Sequence, residues 1–223
     1  MEISPDHIIY FSFGLFKLNA TIVYTWLVMV LLVLFSWFVT RRVTSSAQIS
    51  DQQNLLEVLV GGLLSQIKDA TNHPPEKFLP LLGTLFIFIL ISNLLSAVPG
   101  FKPPTGSLST TSAFSLIVFF AVPYYGIREN GLLNYLKSYV QPSPFMLPFN
   151  IIGEVSRTFA LAVRLFGNIL SGTMMGAILL VIMPLFVPVI MQMLGLLIGV
   201  VQAYIFTVLA AVFIAAGLEV HES

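Results

Sequence analysis

One stretch of the sequence decides the fold class: residues 164–218 read RLFGNILSGTMMGAILLVIMPLFVPVIMQMLGLLIGVVQAYIFTVLAAVFIAAGL. After Arg164, the 54 residues up to Leu218 contain no Asp, Glu, Lys, Arg or His. Charge in hydrocarbon is costly, and arginine cannot lose its proton to avoid that cost. An anion or water from outside this half of the chain must therefore satisfy Arg164, which makes it the first candidate functional residue.

The composition of the whole chain indicates an integral membrane protein. It is 57% hydrophobic and 9% charged, whereas ordinary globular domains are about 25% charged. Ten basic and ten acidic residues cancel, so the charge points to no nucleic-acid partner. The chain has no cysteine, no zinc-ligand spacing of its three histidines and no nucleotide-binding glycine motif, and we expect no metal and no cofactor.

We predict an all-α polytopic fold in a single membrane domain over residues 1–223, with about five spans. The polar, acidic amino terminus does not resemble a signal peptide, so the first apolar run is predicted to be retained. The predicted segments are a span at 20–39, a polar segment at 44–77, spans at 78–98 and 112–127, a short helix around 132–140, and a long helical hairpin at 148–218.

Two of the predicted segments are not ordinary spans. In 44–77, leucines recur at helical spacing, which predicts an amphipathic helix at the bilayer interface. The two helices of the final hairpin are about 34 and 30 residues long, or roughly 51 and 45 Å at the helical rise. They exceed the bilayer core of roughly 30 Å and must tilt, bend or partly emerge.

Basic residues predict the orientation of the chain. Six lie in the predicted loops on one side of the membrane and two in those on the other side. The six are Arg41, Arg42, Lys68, Lys77, Arg128 and Lys137, and the two are Lys17 and Lys102. The positive-inside rule then places the amino terminus outside and the carboxyl terminus inside.

Polar residues accompany Arg164 on its predicted helix. Arg157, Asn168 and Ser171 share its face at helical spacing. In the last helix Gly195 and Gly199 predict close helix packing, and Gln202 is predicted as a neutral hydrogen-bond partner of Arg164.

Other interpretations of these polar residues stay open. Arg164 could instead extend to the interface. The amides of Asn168 and Gln202 could serve helix packing alone, and the amide of Asn93 could serve either packing or a water-filled channel. Glu154 could compensate the helix dipole.

The motifs R-L-F-G-N at 164–168 and Q-A-Y-I-F at 202–206 resemble those of subunit a of rotary F-type ATP synthases, in their bacterial and chloroplast forms. I-S-N-L at 91–94, Q-P-S-P at 141–144 and L-P-F-N at 147–150 extend the resemblance over nearly all of the chain from Pro74 onward. The resemblance implies that Arg164 is the essential stator arginine and that Gln202 faces it. It implies that Asn93 and Asn168 lie near the ion path.

The resemblance also implies a function and partners. The chain would be a non-catalytic, ion-translocating stator subunit whose long tilted helices lie against a ring of c subunits. Two half-channels would pass H⁺ or Na⁺ to the carboxylates of the ring, with Arg164 between them. The b subunits of the peripheral stalk, the rest of the ATP synthase and the lipid bilayer would be its other partners. The implied location is the bacterial plasma membrane, with the thylakoid membrane as the alternative.

This sequence departs from the family at several positions. Thr173 stands where many relatives have Glu or His, and Ser96 and Ser107 stand where acidic residues are common. An outward half-channel lined by hydroxyls and amides suits a partly hydrated Na⁺, which favours the sodium-linked N-type ATPases as an alternative. The candidate ion-translocation residues are Arg164, Gln202, Asn168, Asn93, Glu154, Ser171, Thr173, Ser96 and Ser107.

Two other classes of function compete with the stator subunit. A secondary transporter would show an internal repeat and broken helices, and the sequence shows no repeat. A structural membrane subunit of a respiratory complex would make Arg164 incidental.

Overall fold

The computed structural model describes residues 9–13, 16–41, 51–71, 74–98, 100–140, 143, 145–182 and 187–218. Its elements are β1 (Ile9–Phe13), β2 (Phe16–Asn19), α1 (Ala20–Thr40), α2 (Asp51–Thr71), α3 (Leu79–Leu95), α4 (Leu108–Asn130), α5 (Leu132–Val140), α6 (Met146–Ile182) and α7 (Val187–Leu218). Two 3-10 turns, at Pro75–Lys77 and Pro104–Gly106, come just before α3 and α4.

The predicted all-helical membrane fold is confirmed. Helices α1, α4, α6 and α7 are apolar and long enough to cross a bilayer, and α3 is a shorter apolar helix of 17 residues. Helices suit this environment because they satisfy their own backbone hydrogen bonds where no water can. Helix α4 is longer than the predicted span at 112–127, since its polar first turn remains helical and Thr111 Oγ1 donates to the Ser107 carbonyl at 3.2 Å.

The last two helices are long, as predicted. Helix α6 has 37 residues and α7 has 32, about 55 and 48 Å at 1.5 Å per residue. Pro148 and Pro188 fall in their first turns, where a missing N–H costs little. The residues between the two helices, 183–186, lie outside the described part of the structure.

Helix α7 is the centre of the bundle. It packs against α2, α3, α4 and α6, and α4 also packs along α6. The buried core between these helices includes Leu82, Ile89, Val118, Leu165 and Phe206. Most of the surface of α6 is exposed outside this core, so α6 forms one wall of the molecule.

Polar contacts define two ends of the bundle. At the Glu129 end, Lys77 Nζ forms an ion pair with Glu129 at 2.9 Å, and Asn130 Nδ2 donates to the Leu218 carbonyl at 2.9 Å. The start of α3 and the ends of α4 and α7 therefore meet there. At the opposite end, which we call the Thr105 end, Gln192 Nε2 donates to the Ala97 carbonyl at 2.6 Å. Helix α3 thus runs antiparallel to both α4 and α7.

The amphipathic helix predicted in 44–77 is present as α2, and protein covers part of its apolar stripe. Leu63 and Ile67 are buried in the core, and the Tyr204 hydroxyl of α7 donates to Gln66 Oε1 at 2.7 Å. The side chains of residues 51–59, which carry the rest of the predicted leucine stripe, lie outside the described part of the structure.

The amino-terminal hairpin was not predicted from the sequence. Strands β1 and β2 pair antiparallel, with Phe11 opposite Leu18 and Phe13 opposite Phe16. Strand β2 leads directly into α1, so the hairpin lies at the start of the first long apolar helix.

Candidate functional site

Arg164 lies on the exposed wall of α6. Leu161 and Leu165 beside it are buried in the bundle, whereas the Arg164 side chain is exposed. Among the residues that the structure describes, no carboxylate or hydrogen-bond acceptor engages the guanidinium. An exposed arginine midway along an apolar helix of this length thus presents an uncompensated positive charge at the surface of the subunit.

Arg157 provides a contrast on the same helix. Its guanidinium carbon lies 5.7 Å from the centroid of the Phe213 ring of α7, a cation–π distance. Both arginines are exposed, but the ring gives Arg157 a contact within its own subunit. Of these two arginines of α6, Arg164 alone has no such contact within the described structure.

Small residues surround Arg164 on the exposed wall. A Cβ atom added at Gly167, Gly172 or Gly176 would meet nothing within 4 Å. Ser171 and Thr173 are exposed, and their hydroxyls donate to the backbone of their own helix, to the Asn168 carbonyl at 3.1 Å and the Leu170 carbonyl at 2.9 Å. Gly167 and Ser171 share the face of Arg164, so another helix can approach the guanidinium closely there.

Gln202 does not form the predicted hydrogen bond with Arg164. Helices α6 and α7 pack side by side, yet the Gln202 side chain is buried while Arg164 is exposed. No hydrogen-bond partner for Gln202 Nε2 is present among the described residues. Without such a bond, nothing in the described structure ties the amide to the guanidinium.

Asn93 joins three elements at the Thr105 end. Its Nδ2 donates to the Gly199 carbonyl of α7 at 2.9 Å, and its Oδ1 accepts a hydrogen bond from Thr105 Oγ1 at 2.8 Å. A Cβ atom on Gly199 would lie 3.0 Å from Asn93 Cβ, so the missing side chain permits this contact. Asn93 therefore packs α3 against α7, and its other interpretation, as a group of a water-filled channel, stays a prediction.

Other buried or partly buried polar side chains belong to α3, to the 3-10 turn and its end, and to the first turns of α4. Ser96 Oγ donates to the Asn93 carbonyl at 2.5 Å, and Ser107 is fully buried just before α4. The sequence did not single out the other buried members, which are Ser92, Thr105, Thr111 and Ser115. Together they form a neutral polar cluster of hydroxyls and amides inside an apolar bundle, which we call the hydroxyl cluster.

Glu154 lies toward the Glu129 end and belongs to a different network. The Tyr139 hydroxyl of α5 donates to Glu154 Oε1 at 2.7 Å. The Tyr135 and Tyr139 hydroxyls are 2.8 Å apart. Since an ionised carboxylate can only accept, Tyr139 donates to Glu154 and Tyr135 donates to Tyr139. Burial raises the pKa of the Tyr139 phenol, and its hydrogen bonds to Tyr135 and Glu154 raise it further.

Helix-dipole compensation does not explain Glu154. The first turn of α6 contains no acidic residue, and the dipole acts mainly within the first turn. The interpretation of Glu154 as a dipole-compensating residue is therefore wrong. The sequence did not predict that its partners would be tyrosines. The sequence does contain a signal for this pair, because Tyr135 and Tyr139 are one helical turn apart and therefore lie on one face of their helix.

The part of the chain that the structure describes contains no group of three His, Cys, Asp or Glu side chains that could hold a metal ion.

Comparison with known proteins identifies the family. Residues 22–215 match the family described as ATP synthase A chain. The chain is 60% identical to ATP synthase subunit a 2 of Acaryochloris marina, over 100% of this chain and 95% of that protein. It is 55% identical to ATP synthase subunit a of Nitrosospira multiformis, over 97% of this chain and 86% of that protein.

The chain belongs to the ATP synthase A chain family.

This confirms the resemblance seen in the RLFGN and QAYIF motifs. The chain is a multi-pass subunit a of the membrane sector of a bacterial ATP synthase, a stator subunit that translocates ions and does not catalyse. Family membership replaces the alternatives of a secondary transporter and of a respiratory-complex subunit.

The predicted site residues of this subunit a form two groups, with two residues outside them. Asn93, Ser96 and Ser107 belong to the hydroxyl cluster, while Asn168, Ser171 and Thr173 lie along α6 with Arg164. Gly106 of the 3-10 turn lies close to Ile169 of α6, because a Cβ added at Gly106 would lie 3.0 Å from Ile169 Cγ2. This contact brings the cluster against the middle of α6. Glu154 is separate from both groups, and Gln202 lies buried in α7.

Proposed function

We propose that Arg164 is the fixed charge past which the carboxyl groups of a c-subunit ring move. The observation that carries this proposal is that Arg164 is exposed and has no anionic partner among the described residues. A passing carboxylate supplies the missing counter-charge. The open space at Gly167 and Gly172 supports it, because a ring helix can approach the guanidinium there.

The chemistry of translocation follows from the cost of charge in lipid. A ring carboxyl that faces hydrocarbon stays neutral, because an unpaired carboxylate there is costly. Close to Arg164 the opposite charge favours its ionised form, so it releases its ion. It binds the next ion after it has passed. A permanent positive charge between the two access paths also prevents ions from crossing directly.

The two access paths are assigned to the two polar regions of the structure. The hydroxyl cluster, with Asn93, Ser96 and Ser107, supports a path from the Thr105 end, and Asn168, Ser171 and Thr173 continue it along α6. Glu154 supports the path from the Glu129 end. The positive-inside rule assigns the Thr105 end to the outside and the Glu129 end to the cytoplasm. A membrane potential then supplies about 2.3 kcal/mol per charge per 100 mV.

Replacement of Arg164 tests the assignment. In the complete ATP synthase reconstituted into liposomes, we expect Arg164→Ala to abolish ATP-driven ion uptake while the complex still assembles. Arg157→Ala is the matched control, since it removes an arginine of the same helix that already packs on Phe213. Ion uptake that persists in Arg164→Ala would refute the role of this residue.

A sodium ion is the second candidate for the transported ion. The hydroxyl cluster contains hydroxyls and amides and, among the described residues, no carboxylate. Neutral oxygens suit a partly hydrated cation, whereas they conduct protons only through water. If Na⁺ is carried, ATP-driven uptake into liposomes should require Na⁺ and persist when a protonophore is added. Uptake without Na⁺ that a protonophore abolishes would show instead that the ion is H⁺.

Further partners follow from the family. We assign the long exposed wall of α6 to the c ring, and we expect b subunits of the peripheral stalk to contact this subunit elsewhere. The whole chain is proposed to act as a single membrane domain in the bacterial plasma membrane, with its amino terminus outside.

A further inference from the structure

Two opposite charges of α6 lie three residues apart and do not pair. Glu154 and Arg157 occupy positions i and i+3 of one helix, the spacing at which side chains of opposite charge ordinarily attract each other. Within the described residues, however, the ion pair that forms is that of Lys77 with Glu129. Other contacts therefore hold the carboxylate and the guanidinium of α6 apart.

Each of these two charges is engaged by a different neighbouring helix. The Tyr139 hydroxyl of α5 donates to Glu154 Oε1 at 2.7 Å, whereas the Arg157 guanidinium carbon lies 5.7 Å from the centroid of the Phe213 ring of α7. Helix α7 carries no charged residue, and Lys137, the charged residue of α5, forms no ion pair with Glu154 in the described structure. The carboxylate is thus held toward α5 and the guanidinium toward α7.

Tyr139 is itself held in place at its carbonyl and its hydroxyl. The carbonyl accepts a hydrogen bond from Asn150 Nδ2 at 3.0 Å, and the hydroxyl lies 2.8 Å from that of Tyr135, which is 5% exposed. Burial raises the pKa of the Tyr139 phenol, and its hydrogen bonds raise it further, so the hydroxyl keeps its proton at neutral pH. Tyr139 therefore remains a donor that ties Glu154 to the buried side of α5.

We propose that Tyr139 is a positioning residue for Glu154, which keeps this carboxylate from pairing with Arg157. The inference rests on the proposed function, which assigns Glu154 to the access path from the Glu129 end. An unpaired carboxylate on that path attracts the cations that enter it, whereas a carboxylate paired with a guanidinium presents no net charge to them. Tyr139 thus preserves the affinity of the path for its ion.

ATP-driven ion uptake by the complete ATP synthase in liposomes tests this role of Tyr139. With ATP added outside, the proposed function has ions enter from the Glu129 end. The initial rate is measured against external Na⁺ concentration, or against external pH if the ion is H⁺. In Tyr139→Phe we expect the ion concentration for half-maximal uptake to rise about two- to fivefold, the factor typical of one partly exposed charge pair. The maximal rate should stay close to that of the unaltered complex.

Removal of Arg157 separates positioning from a general loss of structure. Arg157→Gln combined with Tyr139→Phe removes the guanidinium that would capture Glu154, so we expect the half-maximal ion concentration to return to that of the unaltered complex. Arg157→Gln alone should leave it unchanged. Tyr124→Phe, at an exposed tyrosine of α4, is the control for loss of a phenol. A value that stays raised in the double variant would overturn the proposal.

Two further variants separate this inference from the assignment of Glu154. Glu154→Gln should raise the half-maximal ion concentration at least as much as Tyr139→Phe does. An unchanged value in Glu154→Gln would refute both the assigned path and the positioning role, whereas a rise in Glu154→Gln without one in Tyr139→Phe would refute the positioning role alone. A change in Arg157→Gln alone would show that the two charges already interact beside Tyr139, and this result stands even if Tyr139→Phe fails to assemble.

Discussion

At the scale of single residues, Asn93 shows how one amide organises an apolar bundle. Its two hydrogen bonds, to Gly199 of α7 and Thr105 of the 3-10 turn, tie three elements together in the interior of the bundle. A hydrogen bond of this kind contributes only about 1 kcal/mol net, but a partner left unpaired in the interior costs more. The amide therefore specifies the register of α3 against α7 as much as it stabilises it.

Replacement of Gly199 tests the contact between Gly199 and Asn93 directly. In Gly199→Ala the new Cβ would lie 3.0 Å from Asn93 Cβ, and Asn93 cannot yield without straining its two hydrogen bonds. We expect a loss of about 1–3 kcal/mol of stability, as in overpacked cores, seen as a lower thermal midpoint of the purified complex.

Gly195→Ala is the matched control, because a Cβ there meets nothing within 4 Å. It should leave the midpoint unchanged or raise it slightly through better helix propensity. Equal destabilisation by both replacements would contradict the close contact at Gly199.

At the scale of elements, α5 is attached to α6 by its tyrosines. Tyr135 packs beneath α4, where a Cβ on Gly126 would lie 2.5 Å from its ring, and Tyr139 carries the hydrogen bond to Glu154. Asn150 Nδ2 adds a bond to the Tyr139 carbonyl at 3.0 Å. A short amphipathic helix thus fixes the first turns of the long wall helix that carries Arg164.

Removal of the Tyr139 hydroxyl should weaken this attachment. Tyr139→Phe leaves Glu154 without its phenol donor, and we expect a loss of about 1–2 kcal/mol of stability near neutral pH. Tyr124→Phe, which alters an exposed tyrosine of α4, is the control. A thermal midpoint as high as that of the unaltered complex would contradict a stabilising role of the tyrosine pair.

The raised pKa of Tyr139 also predicts an effect of alkaline pH. Below the ordinary tyrosine pKa of about 10, Tyr139 is neutral in the folded and unfolded chains, so its contribution is fully present. Above that pH the unfolded chain ionises first, and stability falls as pH rises. Tyr139→Phe should reduce this alkaline loss in unfolding measurements from pH 9 upward, and an unchanged pH dependence would count against it.

At the scale of the whole molecule, the two ends of the bundle are built differently. The Glu129 end is closed by the ion pair of Lys77 with Glu129 and by the tight crossing of α4 and α7, where a Cβ on Gly217 would lie 2.6 Å from Val122 Cγ1. The Thr105 end instead contains the buried hydroxyl cluster. The two ends of the bundle therefore differ in packing and polarity, as the two proposed access paths require.

Cysteine labelling tests the proposed orientation, and the chain has no native cysteine to interfere. A membrane-impermeant maleimide added to intact cells should label Ser109→Cys near the Thr105 end. It should label Leu133→Cys, on exposed α5 at the Glu129 end, only after the membrane is opened. The reverse pattern would show the opposite orientation.

The class of fold and the long final hairpin follow from the sequence alone, which also marks Arg164 as the first candidate residue. These features are local: apolar run length, helical spacing and one charge that hydrocarbon cannot tolerate. It also determined the bounds of α5, because turn residues flank a short periodic segment. The amino-terminal hairpin gave no such signal, since its strands are short and continue into an apolar helix.

Tertiary packing determines which polar residues are in contact. Asn93, Thr105 and Gly199 are far apart in the chain, and only the antiparallel packing of α3 and α7 brings them together. Packing likewise buried Gln202 while it left Arg164 exposed, and it joined Glu154 to Tyr139. Spacing along one helix predicts which residues share a face of that helix. The element that packs against this face depends on how several helices pack together and exclude lipid, which the spacing does not reveal.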